Sequence, residues 1–484
     1  MRSMRRGVSL AVVVGLAVAS ACNSKNNPNN PDSGVHFGDD ASFESGVEDT
    51  GTPREASAVD SGTIVDAPAD VTTYPPSAGS SGAFGVVTVN GKQKLYMPSN
   101  VSSAAGNATV AAVDVGVVGS GVSGAPALVH SIDLGTTNAA TCTGGDSSMI
   151  VAASTASNDI WFIDPSTDVV VKHINLDSTY GQSSFSSGGG YVTGIATDPS
   201  THTAILSVWN GYALVDLTTQ TITANIQAPP AENFGYDSVH RRIFAPFYNC
   251  SASVANGMPP SSCNTPMAPD GGGVMGAGLS VIDLNDNNTV YTYEDPAAMD
   301  PTNPLGGEPD SAGVDPTTQI VIVPSENEGY ENFLDFSHAT FDKTTLTVTA
   351  PHVIFSGTED EGVAIEPNSH LAFWEGEGSQ DVVTANSVQA MAGNAAFVDG
   401  TMPDDPGGGF STLSDPHGVA VSASIINNKP VGFLVDSDLQ WVARIDLTGF
   451  AALQQNDAGV TLTMAQMAGF VTYLDSTTPE SGGE

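Results

Sequence analysis

The sequence predicts an all-β chain built as a seven-bladed β-propeller of four-stranded antiparallel blades, and three observations predict it. Turn formers are abundant and charge is sparse: the 484 residues include 52 Gly and 30 Pro, with 14% charged. Glycine and proline punctuate turns, while the frequent Val, Ile and Thr suit pleated strands. From about residue 81, short apolar runs alternate with turn clusters, and no helical period persists; the best helical candidate is LTGFAALQQ, near Gly449. Finally, the chain repeats. Val or Ile followed by Asp recurs at Asp114, Asp164, Asp216, Asp283 and Asp446, with Leu334-Asp335 a degraded copy. Successive Asp positions from 114 to 335 are 50, 52, 67 and 52 residues apart. One further step lands in VVTANSV (Val382 to Val388), where the Asp is replaced, and another reaches Asp446, giving seven units.

Each unit justifies four strands. The first closes on a turn acid, as in GIATDPST, FGYDSVHRR, AGVDPTTQ and GVAIEPNS, with looser copies in GVVTVNGK and TGGDSSM and a last start in HGVAVSAS. A second apolar run follows (IVAAS, TAILSVW, IVIVPS, LAFWEG), then the Val/Ile-Asp strand, then a fourth such as VVVKHINL or TITANIQA. Such a sheet leaves both faces apolar, and a ring of sheets buries those faces and protects most edges. Unit four carries a long insertion, Asn249 to Gly278. Residues 71–74 (VTTY) are a short candidate for an extra strand on blade seven.

The termini read differently. MRSMRRG supplies three Arg, and VSLAVVVGLAVASA is an apolar run too short for a comfortable membrane span, so residues 1–21 read as a signal peptide. Ala19-Ser20-Ala21-Cys22 resembles a bacterial lipobox, with Ala19 where Leu is usual, and this implies lipid attachment at Cys22. Residues 22–80 are polar and acidic and read as a disordered tether, since they bury too little apolar surface to order themselves. The propeller is expected over 81–476, followed by a disordered tail, 477–484. These features predict an exported lipoprotein of the cell envelope, at the outer membrane or cell surface. Cleavage at an ordinary Ala-x-Ala site would give a periplasmic or secreted protein instead.

Charge narrows the partners. Thirteen Lys+Arg against 53 Asp+Glu give −40, which excludes nucleic acid as a partner and leaves the lipid anchor as the only membrane attachment. A monomer with a protein or polysaccharide ligand on its loops is expected. Cys250 and Cys263 flank a Gly/Pro/Asn-rich loop and are the disulfide candidates in an oxidising compartment, with Cys142 left as a small buried thiol. There is no CxxC, HExxH, nucleophile elbow or phosphate-binding glycine loop.

STHTAILSVWNGYALVDLTTQTITANIQAP and SDPHGVAVS resemble the YVTN-type repeats of YncE-like seven-bladed propellers, over roughly residues 81–475. That resemblance implies a propeller whose function is open, since such repeats serve lactonases, surface-layer proteins and binding modules alike.

The candidate site follows from registering units on their turn acids, Asp146, Asp198, Asp237, Asp315 and Glu366, with Ser422 in unit seven. Five residues upstream stand Thr141, Thr193, Glu232, Asp310, Glu361 and His417. Glu232, Asp310, Glu361 and His417, from four consecutive units, form a polar ring at the channel mouth. Two readings stand: solvated residues at a wet entrance, or a site for a divalent cation, Ca²⁺ by its oxygen donors. The first fits a binding or display scaffold without catalysis and without cofactor. The second fits a metal-dependent, lactonase-like hydrolase, as the resemblance implies. Asp283-Leu-Asn-Asp-Asn-Asn-Thr has alternating oxygen donors but reads as a hairpin turn, SENEGYENF (Ser325 to Phe333) reads as a loop, and the scattered histidines read as ordinary strand or turn residues.

Overall fold

The computed structural model describes residues 85–117, 127–154, 157–176, 192–208, 211–228, 231, 233–248, 277–294, 309, 311–325, 330–342, 345–355, 359–366, 369–377, 381–392, 398–402, 416–421, 431–436, 441–447 and 460–475. The leader, Cys22, the tether, VTTY, most of LTGFAALQQ and the tail lie outside them.

Seven sheets follow one another along the described chain, over 85–133, 142–175, 192–227, 235–294, 313–355, 359–401 and 416–475. Within each, consecutive strands pair antiparallel. The first strands of sheets 1 to 7 pack against one another in that order, so they line the centre. This is the β-propeller architecture. Apolar residues fill the wedges between sheets: Tyr96, Ala112 and Ile132 of sheet 1 meet Ile150, Trp161 and Ile163 of sheet 2. Phe244 and Val281 of sheet 4 meet Val321 and Phe336 of sheet 5.

Near the centre the sheets approach too closely for side chains. A Cβ on Gly144 would lie 2.5 Å from Ile195 Cγ2 of the next sheet, and one on Gly235 would lie 2.4 Å from Val314 Cγ2 and 2.8 Å from the Ala312 carbonyl oxygen. Glycine sits there because seven sheets converge.

The recurrent Asp residues are turn formers. Oδ1 of Asp164, Asp216, Asp283 and Asp335 accepts the backbone N–H two residues on, at 2.8–2.9 Å. The Leu-Asp copy at Asp335 therefore does the same work as the others. Where the repeat lacks Asp, Asn386 takes its place opposite Leu371 and accepts the Gln389 N–H at 3.0 Å, capping a short helix, α1 (Ser387–Met391).

Sheet 7 takes all four strands from its own unit: Pro416–Val421, Val431–Asp436, Trp441–Asp446 and Val471–Asp475. The connection between its last two strands goes elsewhere first. Val460–Leu462 adds a fifth strand, parallel to Val398–Thr401, to the outer edge of sheet 6. A helical turn, α2 (Met464–Met467), then sets Met467, fully buried, against Leu371, Val398, Leu434 and Ile445 of sheets 6 and 7.

Two expectations change. SENEGYENF is not one loop: Ser325 ends one strand and Tyr330 begins the next, with Glu331 and Asn332 buried inside it. Val321 pairs with Leu334 and Ile322 with Phe333, and that apolar register carries Asn332 and Glu331 opposite Val323 and Pro324, so the sheet overrides the polar composition. Cys142 is also not a free thiol. It is disulfide-bonded, and its partner lies outside the described residues, as do Cys250 and Cys263.

Candidate functional site

The topology gives the molecule two unlike faces. Connections from first to second strand and from third to fourth lie on one, the turn face. Connections from second to third strand, and onward to the next sheet, lie on the other, the loop face.

The turn face is built from buried carboxylates. Asp146, Asp198, Asp237, Asp315 and Glu366 are each at most 8% exposed. Asp146 Oδ1 accepts from the Ser148 N–H at 2.8 Å, Asp198 Oδ1 from the Ser200 N–H at 3.0 Å, and Asp237 Oδ1 from the Val239 N–H at 2.9 Å. Four residues after a turn acid, the backbone is left-handed at His202, Arg241, Gln319 and His370, with φ of 51–60°. Their carbonyls accept from Leu217, Leu284 and Ser387, just after the third strand, and from Phe336 within it, at 2.8–3.0 Å. Three of these side chains reach the turn acid of the preceding sheet. His202 Nδ1 meets Asp146 Oδ2 at 2.7 Å, Arg241 Nε meets Asp198 Oδ2 at 3.0 Å, and His370 Nδ1 meets Asp315 Oδ2 at 2.7 Å.

Other cations do similar work. Lys94 Nζ lies 2.6 Å from Asp168 Oδ2 across sheets 1 and 2, and the Tyr96 hydroxyl donates to Asp168 Oδ1 at 2.5 Å. Burial first, then this bond, push the Tyr96 hydroxyl well above the usual tyrosine range. Arg242 bonds Asp283 at 2.9 Å and lies 4.1 Å from the Phe341 ring centroid of sheet 5. The Asp283 run is a turn: Asp283 accepts from Asn285 and Asp286 backbone N–H groups, and Asp286 accepts the Tyr291 hydroxyl at 2.8 Å. Its oxygens are engaged within the protein.

Asp198 tests this account. Burial opposes its charge, but hydrogen bonds from Ser200, Thr201 and Arg241 outweigh that, holding its pKa at about 2 against 3.8. A depressed value contributes stability that is complete above the ordinary carboxylate pKa and is lost as pH falls through the folded one. Asp198→Asn is expected to lose about 2 kcal/mol at neutral pH. In urea melts across pH, the gap from wild type should close between about pH 4 and pH 2. A gap that persists unchanged at pH 2 would mean that the charge is not what matters.

The loop face is less tightly specified. Of the expected ring, Glu232 and Asp310 lie outside the described residues. Glu361 is the third residue of the first strand of sheet 6 (Glu359–Glu366) and His417 the second of that of sheet 7 (Pro416–Val421). These two strands are neighbours, so the fold sets both positions at the loop-face end of adjacent central strands. Among the described residues, no group of three or more His, Cys, Asp or Glu could hold a metal ion. Thr141, from the same register, is buried and donates its hydroxyl to the Ala153 carbonyl at 3.2 Å, as a strand residue does.

Sequence reasoning missed the clasps. It treated His202 and His370 as ordinary, although their spacing of four from the turn acids Asp198 and Glu366 was visible. That side chains at this spacing reach the previous sheet depends on the left-handed turn, which spacing alone does not disclose.

No family model and no curated protein matches the chain. Solved structures do share its fold at low identity. A complex of KlAtg21 with the coiled coil of AgAtg16 matches with 7% identity and TM-score 0.46, over 76% of this chain and 94% of that one. Dihydro-heme d1 dehydrogenase NirN in complex with DHE matches with 11% identity and TM-score 0.39, over 63% of this chain and 52% of that one. Kuenenia stuttgartiensis hydrazine synthase matches with 13% identity and TM-score 0.36, over 67% of this chain and 99% of that one.

Proposed function

We propose that the protein is a binding scaffold of the cell envelope, anchored through Cys22 and presenting the loop face of a YncE-like propeller to a macromolecular ligand. The observation that carries this reading is the division of the connections. Turn-face hairpins are held by Asx turns and inter-sheet clasps, while the widest intervals between described strands, after Asn175, Tyr248 and Glu294, open from strand ends on the loop face. Variable connections on a rigid frame are where binding residues concentrate. The lactonase-like alternative rests on the expected ring alone.

A photo-crosslinking residue tests the reading. Thr137 is exposed on the loop face and Thr218 on the turn face. Placed at 137 in cells of the native host, it should give a discrete adduct with an envelope protein or polysaccharide, and at 218 none. Equal adducts from both positions, or none from 137, would count against a loop-face scaffold.

A further inference from the structure

On the loop face, a buried carboxylate that belongs to no turn gathers a polar cluster beside the junction of sheets 1 and 2. Asp159, 3% exposed, opens the third strand of sheet 2 (Asp159–Asp164). Its Oδ2 accepts from Asn138 Nδ2 at 2.7 Å, and its Oδ1 accepts from His173 Nε2 at 2.9 Å and Asn175 Nδ2 at 3.0 Å. Asn138 belongs to the connection that enters sheet 2 from sheet 1, while His173 and Asn175 lie in the fourth strand (Val169–Asn175). The His173 imidazole also stacks on the Trp161 indole, with ring centroids 5.3 Å apart and planes 9° from parallel. Trp161 is fully buried in the wedge with Tyr96, Ala112 and Ile132 of sheet 1, so the histidine ring rests on a fixed base.

What this cluster shows to solvent is ring surface and acceptors. Asn138 is exposed, and the His173 side chain keeps 36% of its surface exposed. Asn138 Nδ2 and His173 Nε2 are committed to Asp159, which leaves Asn138 Oδ1 and His173 Nδ1 without a partner among the described residues. The exposed Thr137 adds a hydroxyl next in sequence. The carboxylate itself is buried and spent on three donors.

A second observation lies beneath it. Trp161 Nε1 and Ser154 Oγ, in residues 0% and 1% exposed, have no hydrogen-bond partner among the described residues. Both belong to the same face of sheet 2: Trp161 stands opposite His173, and the Ser154 backbone N–H donates to the Asp159 carbonyl opposite it at 3.0 Å. Buried donors without acceptors are costly, so the cluster calls for an oxygen that these residues do not supply.

We infer that this cluster is a sugar subsite, taking one unit of a neutral polysaccharide. The apolar face of a pyranose stacks on an aromatic ring, while its hydroxyls donate to Asn138 Oδ1 and His173 Nδ1. A water carried between sugar and protein extends that bonding to the buried donors. The buried carboxylate and the stacked indole hold both contact residues in place before the ligand arrives. Hydroxyls suit a surface whose only carboxylate is already satisfied, and a net charge of −40 turns acidic polymers away. The inference rests on the loop-face binding reading and names its ligand class.

The test uses the full mature chain and short oligomers of glucose, mannose, galactose and N-acetylglucosamine, titrated by calorimetry. At least one oligomer should bind the wild type, and Asn138→Ala and His173→Ala should each weaken that binding about tenfold. Thr218→Ala, on the turn face, should bind as the wild type does. Asn138 is exposed and outside the strands, so its variant should shift the urea midpoint little and report binding even if the His173 variant folds poorly. No heat with any oligomer would overturn the proposal. So would binding that survives both site substitutions, or equal losses in all three variants. A protein adduct crosslinked through position 137 would sink the sugar subsite while leaving the scaffold reading intact. No adduct at 137 together with no oligomer binding would remove both.

Discussion

Gly144→Val should leave little or no folded protein, and Gly235→Val should do the same. At Gly144 even the first added carbon would meet Ile195 Cγ2 at 2.5 Å and its Cβ at 3.0 Å, and a branched Ile cannot swing clear at χ1. At Gly235 the obstruction includes the Ala312 carbonyl oxygen at 2.8 Å, which is backbone and part of the next sheet's entry. Overpacking a single methyl into a close-packed interior costs about 1–3 kcal/mol, and valine adds two more carbons against the same wall. The displaced strand is shared by two wedges, so the strain spreads to both. Gly91→Ala is the control. Gly91 has φ of 78° and nothing within 4 Å of its added carbon, so only the left-handed turn is taxed, by about 1 kcal/mol. Urea melts of the three variants, with soluble yield as a second readout, separate crowding at the centre from turn conformation. Comparable losses at Gly91 and Gly144 would remove the crowding argument.

Met467→Ala is the second large effect, with an expected loss of about 2–5 kcal/mol. The side chain is fully buried among residues of both sheet 6 and sheet 7. It also fills the space over Gly400, whose added Cβ would lie 2.3 Å from its sulfur. Truncation opens a cavity that the sheets cannot close without moving the strap. Met467→Leu keeps the volume and should lose less than about 1.5 kcal/mol. Hydrogen exchange should localise the damage, with faster exchange at Val398–Thr401, where Val460–Leu462 pairs, and unchanged protection in sheets 2 and 3. Uniform loss of protection would mean that the strap has no local role.

Much of the fold was legible because the repeat is written in turns. Val/Ile-Asp and the turn acids recur at fixed offsets since an Asx turn needs its carboxylate two residues before the bonded N–H. Asn386 was legible only as a gap, although it performs the same capping with an amide. The central glycines were hidden for another reason. Their need arises from the neighbouring sheet, and a one-dimensional pattern cannot distinguish a glycine required by a turn from one required by convergence. The candidate site was legible as a density of acids. That Glu359 stands opposite Glu377 on the adjacent strand emerges only from register, and the contrast between the two faces only from strand direction.

The strap has a consequence for how the protein is made. The outer edge of sheet 6 is finished by residues that follow three strands of sheet 7, and sheet 7 receives its own last strand only afterwards. Neither sheet can complete before the other. During synthesis or export the first five sheets can assemble as they emerge, whereas the final two wait, with an open edge, for the last stretch of chain. They then fold as a single cooperative unit. A stop or a proteolytic cut before Val460 would therefore undo two sheets, although it removes only one strand from each.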